Sequence, residues 1–209
     1  MDFIEGLLAS NGKDKIFVVV HRLTKHAQFM AIINTDTTKQ IVDVFFRNIY
    51  KLHGFHKVIV SDRDVMFKGK FWKDFCHQAG LSLNMSSSYH PKANGQIEII
   101  NKCLETYLHC FVTDRQNRWT WWLHLAKWWY NNTYHTLAKM TPFQSLYGYE
   151  PLRWKEFSLL DSRVPVVKDH LGESQRVINL LKENLTMAHN RMKQPANQHR
   201  SKRELKERD

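Results

Sequence analysis

Three acids in this 209-residue sequence, Asp2, Asp62 and Glu98, stand where a carboxylate is either costly or useful. Asp62 follows the short β-branched run Val58-Ile59-Val60-Ser61, so it ends a buried strand, where open α/β sheets place their ligands. Asp2 lies inside the apolar opening segment Asp2 to Leu8, and a charge there needs a partner or a metal ion. Glu98 neighbours Ile97 and Ile100 on a long helix, in the first turn, where the helix dipole favours an acid. If the strands carrying Asp2 and Asp62 are neighbours and this helix packs across them, the three converge. Buried carboxylates repel one another, and divalent cations relieve that repulsion; hard oxygen ligands suit two Mg²⁺ or Mn²⁺ ions. Such a site attracts a phosphodiester and activates water or a 3′-hydroxyl for in-line attack. Taken singly, each acid also has a plainer reading: Asp62 as part of a Ser-Asp-Arg-Asp turn, Glu98 as an ordinary first-turn acid.

The elements that must position these acids follow from periodicity. Asp2 to Leu8 reads as a strand that stops at the turn cluster Ala9-Ser10-Asn11-Gly12. Lys15 to Val20 is a continuous β-branched run, the pattern of a strand covered on both faces, and Gln28 to Ile33 forms a third strand. Between Thr37 and Leu52 the apolar residues Ile41, Val44, Phe45, Ile49 and Leu52 keep helical spacing, and Thr37 with Gln40 forms a capping box. A strand at 58–60, a helix over about 69–79 and a strand over about 81–85 come next. After the loop 86–95, a helix capped by Asn94 carries Ile97, Ile100, Leu104, Tyr107, Leu108 and Phe111 on one face. The tryptophans of 119–130 read as the buried side of an amphipathic helix rather than as base-stacking groups. A short helix follows Thr141-Pro142. Residues 150–165 read as a linker, and 166–209 as an amphipathic helix with a basic tail. The class is α/β, a mixed sheet flanked by helices.

Composition narrows the partners. Lys and Arg number 31 against 20 Asp and Glu, for a net charge of +11, and 43% of the residues are hydrophobic. That much apolar content excludes a wholly disordered basic chain, and a polyanion is the expected partner, nucleic acid before a membrane surface. Residues 191–209 hold seven basic and three acidic side chains without an apolar stripe. No run approaches the roughly 20 apolar residues of a membrane span. Cys76, Cys103 and Cys110 show no CxxC spacing, which points to a reduced, intracellular chain without a structural zinc site of its own. His21 and His26 raise the question of a metal, although strand histidines are more often structural.

The strings MDFIEGL, KDKIFVVVHRLTKHAQF, VIVSDRDVMF, SSYHPKANGQIEIINKCLETYL and WWYNNTYHTLAKMTPFQSLYG occur in that order. Together they resemble the integrases of Gypsy-type LTR retrotransposons, the plant-like ones in particular, within the retroviral integrase superfamily. The resemblance runs from Met1 to about Tyr149 and more loosely to about Arg200, and 35 residues separate Asp62 from Glu98 as in retroviral integrases. It implies an RNase H-like fold, with a mixed five-stranded sheet flanked by helices over 1–149 and a C-terminal helical extension. It also implies an Asp2-Asp62-Glu98 catalytic triad with two metal ions, Asp2 and Asp62 holding one and Asp2 and Glu98 the other. The implied activity is DNA integration, by trimming of 3′ ends and strand transfer of element DNA into target DNA. By the same matching Tyr89, Pro91, Asn94, Asn101 and Lys102 contact DNA. Lys92 joins them by its charge and loop position, with Pro91 and Gly95 bracketing a segment able to flex over DNA. A homo-oligomer, formed through the Trp-rich helices, and a nuclear location are the further expectations.

His21 stands where Gypsy-type sequences usually have Asp and Lys127 where an acid is common, Leu8 replaces a common Pro, and Lys92-Ala93-Asn94 replaces a Gln-Thr-Asp type string; none of these removes a triad member. Family members carry an upstream zinc module and a downstream barrel or chromodomain that these 209 residues do not contain, so the sequence reads as a truncated core or polyprotein fragment. Two other functions compete with an active strand transferase: a catalytically inactive DNA-binding relic or domesticated fragment, and an RNase H-type nuclease on RNA–DNA hybrids, against which the YHPKANGQIE segment argues.

Overall fold

The computed structural model describes residues 1–86, 91–111, 116–136 and 138–151, and beyond these only positions 165, 166, 172, 176, 179 and 183, all helical. The chain divides into two compact units, Met1–Arg153 and Trp154–Asp209. The first unit carries all the strands and the helices α1 to α7 named below; the linker and most of the C-terminal helix read from the sequence lie outside the described residues.

Strands β1 (Asp2–Ile4), β2 (Lys15–Val20) and β3 (Ala27–Ile32) form an antiparallel sheet in the order β1-β2-β3, with Asp2 opposite Val18 and Val20 opposite Ala27. Strands β4 (Val58–Ser61) and β5 (Ser82–Met85) pair in parallel. Two main-chain hydrogen bonds join these sheets: the Met1 nitrogen donates to the Val60 carbonyl at 2.7 Å, and the Asp62 N–H donates to the Met1 carbonyl at 3.2 Å. That pattern is a parallel pairing, so β4 flanks β1 as the convergence of the acids requires.

Helix α1 (Thr38–Phe45) opens on the expected capping box, continues through a π-helical stretch (Phe46–Tyr50) and ends in α2 (Lys51–His53). Two further helices, α3 (Val65–Lys68) and α4 (Lys70–Gln78), pass between β4 and β5. One core lies on this side of the sheet, where Phe17, Met30 and Ile32 meet Ile41, Phe45, Phe67 and Trp72. On the other side lie α5 (Pro91–Phe111) and α6 (Trp119–Asn132), followed by α7 (Pro142–Tyr147), which Thr141 caps. Helix α5 buries Ile100, Leu104, Tyr107 and Leu108, and α6 buries Trp119, Leu123 and Ala126. The Asn131 side chain clamps α6 to β3, accepting from the Ala27 N–H and donating to the Ala27 carbonyl, both at 2.8 Å.

Four differences from the sequence expectation have physical causes. Strand β1 ends at Ile4, and two residues later Gly6 turns at φ +75°. The helix expected over 69–79 is α4, and a short unexpected helix α3 precedes it: Asp64 caps α3 by accepting from the Met66 N–H at 2.7 Å, and Gly69 is extended between the two. Helix α5 starts at Pro91, four residues before Gly95, so Asn94 is not its cap and Pro91 and Gly95 do not bracket a loop. Proline suits a first helical position because its missing N–H has no acceptor to serve there, and Lys92-Ala93 favour helix. Finally, α6 does not bury all its tryptophans: Trp121 is 71% and Trp128 49% exposed, seven residues apart on one stripe.

Candidate active site

The end of β4 turns sharply after Ser61. Asp62 Oδ1 accepts from the Asp64 N–H at 3.2 Å, and Arg63 Nε donates to the Ser86 carbonyl at 3.1 Å, tying the ends of β4 and β5 together. Asp2 projects from β1 on the α5 side of the sheet. Its Oδ1 accepts from the Phe3 N–H and its Oδ2 from Asn101 Nδ2, each at 2.8 Å. The Asp2 and Asp62 carboxyl groups lie close enough to act on each other's charge. Burial foremost, then the Asp2 side chain and the charges of Asp2 and Asp64, raise the Asp62 pKa to about 6, against the opposing pull of the Asp64 N–H. The protein thus holds together two carboxylates that would separate if the pair were free to do so. A compact cation fits this donor set, because hard oxygens on adjacent strand ends are what Mg²⁺ or Mn²⁺ binds.

Glu98 is not joined to them. It is exposed, and it is the eighth residue of α5, two turns from the N-terminus rather than in the first turn. Asn101, three residues on, is the residue that reaches Asp2. Positions three apart lie about 60° apart around a helix and one turn along it, so Glu98 stands beside the Asp2–Asp62 pair without touching it. Among the described residues no three His, Cys, Asp or Glu side chains are grouped closely enough to hold an ion.

Of the residues matched to DNA contact, Tyr89 lies outside the described residues, and for Pro91, Lys92 and Asn94 only the helical backbone is described. Lys102 is exposed on α5. Asn101 directs its amide inward onto Asp2, with Oδ1 buried and unpartnered. The family resemblance implies only a DNA-contacting role for Asn101; its i+3 spacing from Glu98 is the signal that it shares the face nearest the acids.

The histidines form a separate group. His21, His26, His53 and His56 stand in a chain of ring contacts, with centroids 5.7 Å apart for His21–His56, 5.9 Å for His26–His53 and 6.3 Å for His53–His56. His21 Nδ1 is hydrogen-bonded to Thr24 Oγ1 at 2.7 Å. Burial first, then His53, Lys127 and His21, push the His26 pKa down to about 4. His26 is thus a neutral, packed side chain, which agrees with the structural reading of strand histidines.

Compared with solved structures, the chain matches the simian T-cell lymphotropic virus intasome in complex with PP2A regulatory subunit B56 gamma, with a TM-score of 0.59, 16% identity, and coverage of 73% of this chain and 54% of that one. It also matches the magnesium-bound, trimeric form of the HTLV-2 integrase catalytic core domain (TM-score 0.54, 15% identity, 68% of this chain and 92% of that one). The BIV integrase catalytic core domain matches with a TM-score of 0.52 and 17% identity, over 68% of this chain and 91% of that one. The fold is that of a retroviral integrase catalytic core. In sequence, the chain is 31% identical over 197 residues to the Transposon Tf2-3 and Tf2-4 polyproteins of Schizosaccharomyces pombe, covering 92% of this chain. It spans 14% of the length of those polyproteins. No family model matches. An integrase-like fold and kinship with a retrotransposon polyprotein segment therefore coincide in one chain.

Proposed function

We propose that this chain is the catalytic core of a retrotransposon integrase, Gypsy-type in sequence, which hydrolyses and transfers DNA strands with the help of Mg²⁺ or Mn²⁺. The observation that carries the reading is the Asp2–Asp62 carboxyl pair at the ends of adjacent strands, on an integrase fold. Asp2, Asp62 and Glu98 are the proposed ligands of two ions, with the finer architecture a five-stranded mixed sheet, a helical C-terminal extension and further modules in the longer protein. When bound, the ions supply Lewis-acid activation of water or a 3′-hydroxyl and neutralise the phosphodiester under attack.

The chain's own residues have distinct tasks. Asn101 holds Asp2 in place through Oδ2, leaving the carboxylate edge toward Asp62 available. The Asp64 N–H restrains Asp62 in the same way. Glu98, three residues before Asn101 on the same helix, is the proposed third ligand of the set. Tyr89, Pro91, Lys92, Asn94 and Lys102 are the proposed DNA contacts along the start of α5, where cationic and amide groups meet phosphates. Donor ends and target must meet, which places the reaction in the nucleus and calls for more than one copy of the chain. The exposed Trp121 and Trp128 stripe on α6 supports self-association. The solved HTLV-2 cores are described in dimeric and trimeric forms.

The test is strand resealing on a branched DNA substrate with Mn²⁺. Activity that disappears in both Asp62→Asn and Glu98→Gln supports the reading; activity unchanged in Asp62→Asn refutes it. A second reading, a DNA-binding relic, is favoured by the position of Glu98 away from the pair. It is the outcome if the unmodified chain binds DNA yet reseals none at any Mn²⁺ concentration.

A further inference from the structure

Lys15 opens β2 and is only 5% exposed, at the head of a run, Ile16-Phe17-Val18, that is wholly buried. An ammonium group taken out of water needs opposite charge close by. Carrying the β1–β2 register one residue past Ile4 and Ile16 sets Glu5 opposite Lys15, and the two side chains form an ion pair. The Glu5 side chain is 57% exposed, so it meets the ammonium from the solvent side. On the inner side Lys15 Nζ lies 4.1 Å from the centre of the Phe3 ring, which it caps, and 4.0 Å from Asp64 Oδ2.

These inner contacts lead to the candidate site from behind. The Phe3 ring stacks on Phe67 of α3, with centroids 4.8 Å apart, so the ammonium is seated where β1, β2 and α3 meet. Asp64 uses Oδ1 to cap α3, accepting from the Met66 N–H, and turns Oδ2 to Lys15. Its own N–H is the donor that holds Asp62 Oδ1. One side chain thus ties the turn Asp62–Met66 to the sheet, and its partners in ion pairs are Glu5 and Asp64 rather than the acids of the pair. Fold stability alone does not call for a charge here, because replacing a buried ion pair by apolar groups is often neutral. What the ammonium adds is a fixed place for Asp64.

We propose that Lys15 is a positioning residue for Asp62. Seated on Phe3, its ammonium holds the Asp64 carboxylate and with it the turn, so that the Asp64 N–H stays on Asp62 Oδ1 and Asp62 stays beside Asp2. The consequence for Mg²⁺, that the ion meets a preset pair of carboxylates, rests on the reading of Asp2 and Asp62 as its ligands. The positioning itself belongs to the metal-free chain.

The test compares the 209-residue wild type with Lys15→Met, Asp64→Asn and the double variant, by amide hydrogen exchange in EDTA. Methionine keeps an unbranched stem over Phe3, and asparagine keeps an oxygen to cap α3. Protection of the Asp64 amide is expected to fall about tenfold in each single variant, as a charge-assisted restraint is lost. The Ala27 amide, held by Asn131 at the α6–β3 contact, is expected to change by less than about threefold. The double variant is expected to match the single ones, because both substitutions remove the same link. Mg²⁺ affinity measured by calorimetry is expected to be about tenfold lower in Lys15→Met, the loss at Asp64 carried through to the ion. Unchanged protection at Asp64, equal losses at Asp64 and Ala27, or losses that multiply in the double variant overturn the proposal. So does a Mg²⁺ affinity that Lys15→Met leaves unaltered. A wild type that takes up no Mg²⁺ refutes the metal reading of the acids instead, and the exchange data, taken in EDTA, still decide the role of Lys15.

Discussion

Replacing Asp62 by asparagine is expected to stabilise the metal-free protein while removing its chemistry. In the native fold the Asp62 carboxyl lies beside that of Asp2, and its pKa is raised from 3.8 to about 6, first by burial and then by that neighbour. The sign follows from proton counting. Between pH 3.8 and 6 the folded protein keeps a proton that the unfolded chain has released, so stability falls as pH rises through that window and levels off above it. Two pKa units correspond to about 3 kcal/mol, and solvent screening of a half-exposed carboxyl reduces this to about 1 kcal/mol. Asparagine cannot ionise, its amide donates to Asp2 as the protonated acid does, and its Oδ1 still accepts from the Asp64 N–H. Urea denaturation of both proteins in EDTA, from pH 4 to pH 8, should show equal stability near pH 4. An advantage of about 1 kcal/mol for Asp62→Asn should then develop by pH 7. Added Mg²⁺ should stabilise the wild type and leave the variant unchanged, since an ion that binds only the folded state adds stability by mass action. A variant less stable at pH 8, or a difference independent of pH, would refute the carboxyl-pair reasoning.

Asn101→Leu removes the amide from Asp2, and a hydrogen bond to a charged group contributes about 1.5–3 kcal/mol. Its denaturation midpoint should fall, and its Mg²⁺-induced stabilisation should weaken in calorimetry. His26, with its pKa pushed down to about 4 in the fold, makes the protein lose stability as pH drops from 6.5 toward 4, because the unfolded chain takes up the proton first. The loss should approach about 3 kcal/mol, and His26→Phe should flatten that part of the pH profile measured by thermal melting. Asn131→Leu leaves the Ala27 N–H and carbonyl without side-chain partners inside the α6–β3 contact and is expected to cost about 2–4 kcal/mol, read by denaturant titration.

Much of the local structure is legible in the residues themselves. The β-branched run Lys15–Val20, the Thr37–Gln40 capping box and the Thr141-Pro142 helix start appear where their side-chain chemistry places them. Two features depart from the local signal for related reasons. Pro91 and Gly95 are punctuation residues, yet both sit inside α5, since proline at a helix start costs nothing and one glycine costs only about 1 kcal/mol. The tryptophans of α6 share one string, but helical geometry turns Trp119 inward and Trp121 outward.

By itself the sequence determined the class of the fold, the basic character of the chain and the two acids that end up together, because strand patterning and an acid at a strand end are local properties. Only the tertiary structure decided that Met1 pairs with β4, which brings Asp2 to Asp62 across 59 intervening residues. It also decided that Asn101 rather than Glu98 meets Asp2. Register between distant strands and the rotation of a helix about its axis are set by packing of whole layers, and no local run of residues encodes them.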